Sequence, residues 1–312
     1  MNDMNQKPQI SYRAQLAILL ALIGVFMVIG SFLMIMLAST KLDIAFELVP
    51  GALNNPANAS LIRWLNTLAT FMIFFIPAFI YARIMNRNPV AYLGFNSVMS
   101  RKQIVIVLVL TIAAMATSGA LAELNQHIPL PVKWMIKARA MEEAYKTTML
   151  SMAVMKNFNE YLVVLLVMAL TPAMFEEVLF RGAFQQLFIG WTKRAWAGIL
   201  ITSIIFSAIH FSYFGFLPRI VLGIVLGGIF YYSKNIWLNI LLHFLNNAIV
   251  VTQLYIVGKQ GGSIEKAMDE NAPVWTGIFA IAGLLLLFRL FRKETEKVLA
   301  AKRVVLINEK DG

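Results

Sequence analysis

Eight apolar stretches of near-membrane length occupy about half of this 312-residue chain, and they constrain its fold more than any other feature. They run Ala14–Leu37, Leu65–Ile84, Ile104–Leu121, Tyr161–Phe188, Trp196–Phe211, Phe216–Tyr232, Ile236–Ile256 and Trp275–Leu290. A helix needs about 20 apolar residues to cross a hydrocarbon core roughly 30 Å thick. The chain is 59% hydrophobic and 14% charged, with a mean hydropathy of +0.72, whereas soluble globular proteins carry about 25% charged residues. The expected fold is an all-α polytopic membrane protein with about eight transmembrane helices. The fourth stretch is long and contains Pro172, which predicts a broken or tilted helix there.

A net charge of +11 would suggest a nucleic-acid partner in a soluble protein. Beside apolar spans it reads instead as charge that orients helices and meets the anionic lipid of a bilayer, with no nucleic acid involved. With the N-terminus inside, 16 of the 27 Lys and Arg residues fall in inside segments and 10 in outside loops and span ends. That bias places both termini of a multi-pass protein in the cytoplasm. The chain has no cysteine, which excludes disulfides, thiolate metal sites and cysteine catalysis. Three regions follow from the pattern: 1–157 with three spans and an interfacial loop, 158–256 with four spans, and 257–312 with a loop, the last span and a basic cytoplasmic tail. The loop Leu130–Lys156 is amphipathic and basic, and its Glu142-Glu143 pair reads as a solvated helix face.

Ionisable groups are rare in the spans, and most of them fall in the fourth, fifth and seventh. Glu176, Glu177 and Arg181 lie within six residues of one another in the fourth. A charged side chain at the bilayer centre costs roughly 2.5–3.5 kcal/mol on insertion scales, so such groups face one another, a water-filled cavity or a working site. Glu177 and Arg181 are four apart, on one helix face, and are placed to form an ion pair. Glu176 is rotated about 100° from Glu177 and is left facing a cavity. The plainer alternative is a buried structural network of all three.

The fifth stretch puts Ser203, Phe206, Ser207 and His210 on one helix face, where a histidine could simply be a packing residue. In the seventh, Asn239, His243 and Asn247 recur every four residues, a polar stripe that either glues helices together or lines a cavity. Gly223 and Gly227, four apart in the sixth, suit close helix contact.

Taken in order, Glu176-Glu177-x-x-x-Arg181, Phe206-x-x-x-His210 and His243-x-x-x-Asn247 resemble the signature of the CAAX-processing and bacteriocin-processing (Abi) intramembrane proteases. Thr171-Pro172 before the glutamates and Phe180-Arg181-Gly182 around the arginine fit as well, and the resemblance covers about Leu165–Val250. It implies a helical bundle whose fourth to seventh spans enclose the site. It also implies an intramembrane endopeptidase that hydrolyses a peptide bond in a membrane-associated or hydrophobic peptide or protein. Carried over residue by residue, Glu176 is the base that activates water, and His210, His243 and Asn247 bind or polarise the reacting oxygens. Glu177 and Arg181 complete the expected catalytic set. Members of the family have been treated as metalloproteases, and a metal-free glutamate mechanism has also been proposed.

Both chemistries are physically open at this point. His210, His243 and Glu176 would leave a fourth zinc position for water, and zinc is the slightly favoured expectation. Without metal, Glu176 would act as general base and the imidazoles and Asn247 would stabilise an oxyanion. Straight, untilted helices would separate Glu176 and His210 by about 10 Å along the bilayer normal, and a break at Pro172 would relieve that. Two other functions compete: a non-catalytic immunity or scaffold protein of the same fold, and a proton or cation transporter. The transporter reading lacks an inverted repeat.

Overall fold

The computed structural model describes residues 10–53, 55–269 and 272–311, and among them all regular structure is helical. The main elements are α1 (Tyr12–Leu42), α2 (Pro56–Met85), α3 (Arg101–Gln126), α4 (Val132–Met152), α5 (Phe158–Thr192), α6 (Ala195–Ala208), α7 (Phe216–Ser233), α8 (Ile236–Lys259) and α9 (Thr276–Asp311). Helices are expected where backbone polar groups find no water, because every bond then closes within the segment. Side chains mark the starts: Ser100 and Gln103 form a reciprocal capping box on α3, and Asn235 accepts from the Trp237 N–H at the head of α8.

Among the described residues six helices are long and apolar enough to cross a membrane: α1, α2, α3, α5, α7 and α8. The chain is thus a multi-pass integral membrane protein, with six candidate spans against the eight anticipated. The fifth anticipated span is the shorter α6, of 14 residues, and the eighth is merged with the tail into the 36-residue α9. A short helix can still line a site enclosed by longer ones. Only 11% of the most apolar window of α1 is buried, and Val28 and Phe32 on it are exposed, as suits a face turned to lipid.

Pro172 does not break α5. The helix is continuous over 35 residues, with a π-helical stretch at Leu165–Leu170 just ahead of the proline. The same arrangement occurs in α2, where the π-helical Phe71–Phe75 precedes Pro77. Proline lacks an N–H and its ring clashes with the carbonyl four residues back, and a wider π turn relieves both problems without ending the helix. A helix of this length spans about 52 Å, well beyond a core of roughly 30 Å. The depth of Glu176 in a bilayer therefore cannot be counted from the first apolar residue.

α5 is the hub of the fold. It packs against α2, α6, α7 and α8, while α3 packs against α7, α8 and α9. One core forms where Val178, Phe180, Phe184 and Leu187 of α5 meet Leu19, Ala78, Tyr81 and Phe206. A second joins α3, α7 and α8 through Leu110, Leu226, Ile229 and Leu242. The α6–α7 contact is close because Gly223 has no side chain: a Cβ there would lie 2.8 Å from the Cβ of Ser203.

Candidate active site

α5 and α8 bring the polar groups together at the centre of the bundle. Glu177 is fully buried and its carboxylate accepts from three donors. Arg181 Nη1, one turn along α5, donates to Oε1 at 2.8 Å. From α8, His243 Nδ1 meets the same Oε1 at 2.9 Å and Asn239 Nδ2 donates to Oε2 at 3.2 Å. Because the partner at Nδ1 is a carboxylate, that nitrogen carries the proton. The imidazole is thereby oriented with Nε2 turned toward Glu176, whose Oε2 lies 3.8 Å away.

Glu176 has a different environment. Its Oε2 is buried and has no hydrogen-bond partner. The two adjacent glutamates thus divide as the 100° rotation predicts: one is locked into a network and the other is left with an uncommitted oxygen.

Arg181 is held from several sides. Its Nη2 donates to the Gly223 carbonyl of α7 at 3.3 Å, and its guanidinium lies over the Phe206 ring at 4.9 Å. One turn further, Gln185 Nε2 donates to the Gly227 carbonyl at 2.9 Å. Gly223 and Gly227 therefore do more than permit close packing, since their carbonyls receive the polar stripe of α5. This stretch of α5, Phe180–Gln185, is π-helical, a feature frequent at functional sites.

His210 follows the end of α6, and its Nδ1 donates to the Phe206 carbonyl at 2.7 Å. The Phe206 ring meets His210 edge-on at 5.0 Å and His243 at 5.9 Å, so it is the wall between the two imidazoles. Phe211 then adopts a left-handed φ of 51°, which costs a bulky side chain roughly 1–2 kcal/mol and turns the chain sharply beside His210. Asn247 sits one turn beyond His243, and its Oδ1 accepts from Asn246 Nδ2 at 3.2 Å. It lies on the same stripe but outside the Glu177 network.

Among the described residues no three His, Cys, Asp or Glu side chains are placed to hold a metal ion. Of the anticipated zinc ligands, Glu176 Oε2 and His243 Nε2 face each other across 3.8 Å, and the bond of His210 Nδ1 to the Phe206 carbonyl leaves its Nε2 free.

Several participants went unnoticed in the sequence. Gln185 continues the four-residue spacing of Glu177 and Arg181, a signal that was available. Glu142 corrects the expectation of a solvated face: its Oε2 accepts from Ser212 Oγ at 2.9 Å and from the Phe214 N–H at 3.4 Å. Asn125 at the end of α3 fastens the same turn, donating to the Tyr213 carbonyl at 2.9 Å. Glu142→Ala is expected to raise amide hydrogen exchange across residues 212–216, and Glu143→Ala to leave it unchanged. Equal protection in both variants would mean that Glu142 does not hold the turn.

Residues 158–249 match the family model described as type II CAAX prenyl endopeptidase, Rce1-like. The matched segment runs from the start of α5 into the second half of α8 and includes every residue of the Glu177 network. No curated protein and no solved structure matches the chain.

Proposed function

We propose that this membrane protein, through the Rce1-like CAAX endopeptidase domain at residues 158–249, hydrolyses a peptide bond in a membrane-associated peptide or protein. The observation that carries this reading is the pairing of a locked glutamate with a free one. Glu177 fixes the His243 ring, and the ring faces the uncommitted Oε2 of Glu176 across 3.8 Å.

In the reaction, water attacks the scissile carbonyl carbon and Glu176 takes its proton as general base. The resulting oxyanion is stabilised from the side of His243, His210 and Asn247. A donor role at Nε2 of either imidazole needs the doubly protonated ring, because each Nδ1–H is already committed to an oxygen. The C–N bond then breaks, and the proton held by Glu176 passes to the leaving amine. Glu177 and Arg181 are positioning residues here, since their contacts are with His243, Asn239 and the α7 backbone.

As drawn, the route runs on the chain's own side chains; zinc held by His210, His243 and Glu176 would instead supply a Lewis acid to the same water. Four helices, α5 to α8, form the working core, and the Lys and Arg distribution supports cytoplasmic termini.

The test is cleavage of a pool of membrane-tethered peptides in nanodiscs, read by mass spectrometry, with enzyme stripped of metal and checked by elemental analysis. Cleavage by the metal-free protein is the expected result. Cleavage that returns only with zinc would replace the metal-free route. The absence of any cleavage by well-folded protein would favour a scaffold or immunity role.

A further inference from the structure

The backbone of α7 is an acceptor rail for this site. Gly223, Leu226 and Gly227 lie at i, i+3 and i+4, on one face of the helix, and each carbonyl receives a buried side-chain donor. Arg181 and Gln185 of α5 reach the two glycine carbonyls. The third donor comes from another helix: Asn239 of α8, one turn before His243, donates from Nδ2 to the Leu226 carbonyl at 2.7 Å. The same nitrogen donates to Glu177 Oε2 at 3.2 Å. Both of its N–H bonds are thus engaged, one by the α7 backbone and one by the carboxylate.

The two oxygens of Glu177 are held unequally. Oε1 takes both Arg181 and His243, whereas among the described residues Asn239 is the one side chain hydrogen-bonded to Oε2. Glu177 and Asn239 are both fully buried, so an Oε2 stripped of this donor would be a buried acceptor left unmade. The carboxylate would then gain by rotating about its Cγ–Cδ bond toward the donors that remain. Rotation moves Oε1, and Oε1 is what fixes the His243 Nδ1 proton. An ionised aspartate could not stand in for the amide, because both partners of Nδ2 are acceptors and oxygen would face oxygen at each.

We propose that Asn239 is a positioning residue for the reaction. It ties the plane of the Glu177 carboxylate to the α7 backbone and so keeps Nε2 of His243 turned toward Glu176. Its action runs through Glu177 and His243 and not through contact with the substrate. This deepens the endopeptidase reading and rests on it.

The chain has three histidines, so imidazole nitrogen NMR spectra of the isotope-labelled full chain in nanodiscs can be assigned by replacing His127 and His210 in turn. Spectra are recorded at mildly alkaline pH for wild type, Asn239→Ala, Asn239→Ser and Gln185→Leu, and cleavage of a membrane-tethered peptide is measured on the same preparations. Wild type is expected to show His243 as one tautomer with the proton on Nδ1. Asn239→Ala is expected to move the two nitrogens of that ring toward a mixture of tautomers. It is also expected to lower kcat about 10- to 100-fold, the usual cost of losing an outer partner behind a working histidine, while KM stays within about twofold. Asn239→Ser keeps a single donor and falls between. Gln185→Leu removes the neighbouring tether to α7 without touching Glu177, and leaves the His243 spectrum as in wild type.

An unchanged His243 spectrum in both Asn239 variants overturns the proposal, as does a wild type that is already a mixture of tautomers. The same change in Gln185→Leu overturns it too, since Asn239 would then be only a tether between helices. A rise in KM with kcat kept has the same meaning. Should Asn239→Ala not fold, the serine variant alone decides between these results. The predicted spectra with no cleavage of any peptide by wild type preserve the positioning of His243 and sink the endopeptidase reading instead.

Discussion

Glu176→Gln is expected to lower peptide cleavage by about 10²- to 10⁴-fold, the usual contribution of a positioned general base, while the protein stays as stable as wild type. The two halves of that expectation come from the same observation. Glu176 Oε2 has no hydrogen-bond partner, so replacing the carboxylate by an amide removes no contact at that oxygen. It also removes a negative charge placed next to Glu177 in the same buried pocket. Turnover and detergent-resistant unfolding should be measured on the same preparations. Activity within a few-fold of wild type would remove Glu176 from the chemistry. An inactive protein that is also strongly destabilised would make its role structural.

Arg181→Met is expected to behave in the opposite manner and to destabilise the fold by about 3–5 kcal/mol, the cost of stripping one partner from a buried ion pair. Arg181 and Glu177 are both fully buried, so the remaining carboxylate would be a buried charge without its partner. Restoring balance should restore stability: Glu177→Gln combined with Arg181→Met is expected to recover most of the loss, because a neutral pair no longer buries a lone charge. Activity should not recover, since His243 loses the carboxylate that fixes its Nδ1 proton. Unfolding in mixed micelles, titrated with SDS, measures the first effect and the cleavage assay the second. A double variant as unstable as Arg181→Met alone would show that packing of the guanidinium over Phe206, and not charge balance, is what matters.

The same network shows how far the chain could be read without its structure. Apolar length determined the class of fold, because a membrane leaves few alternatives to helices. The Glu177–Arg181 pair and the divergence of Glu176 were legible because helix geometry fixes what lies four and one residues apart. The stripe Asn239–His243–Asn247 was legible on the same ground, and two of its three members do reach Glu177.

What sequence could not determine is how each helix is turned toward its neighbours. That is set by packing between segments far apart in the chain. Only the assembled bundle decides that Glu177 is the hub and that the Gly223 and Gly227 carbonyls serve as acceptors. The same holds for Glu142, 70 residues from Ser212, which fastens the turn after His210. Local spacing fixes which side chains share a helix face, and interhelical packing fixes what that face meets.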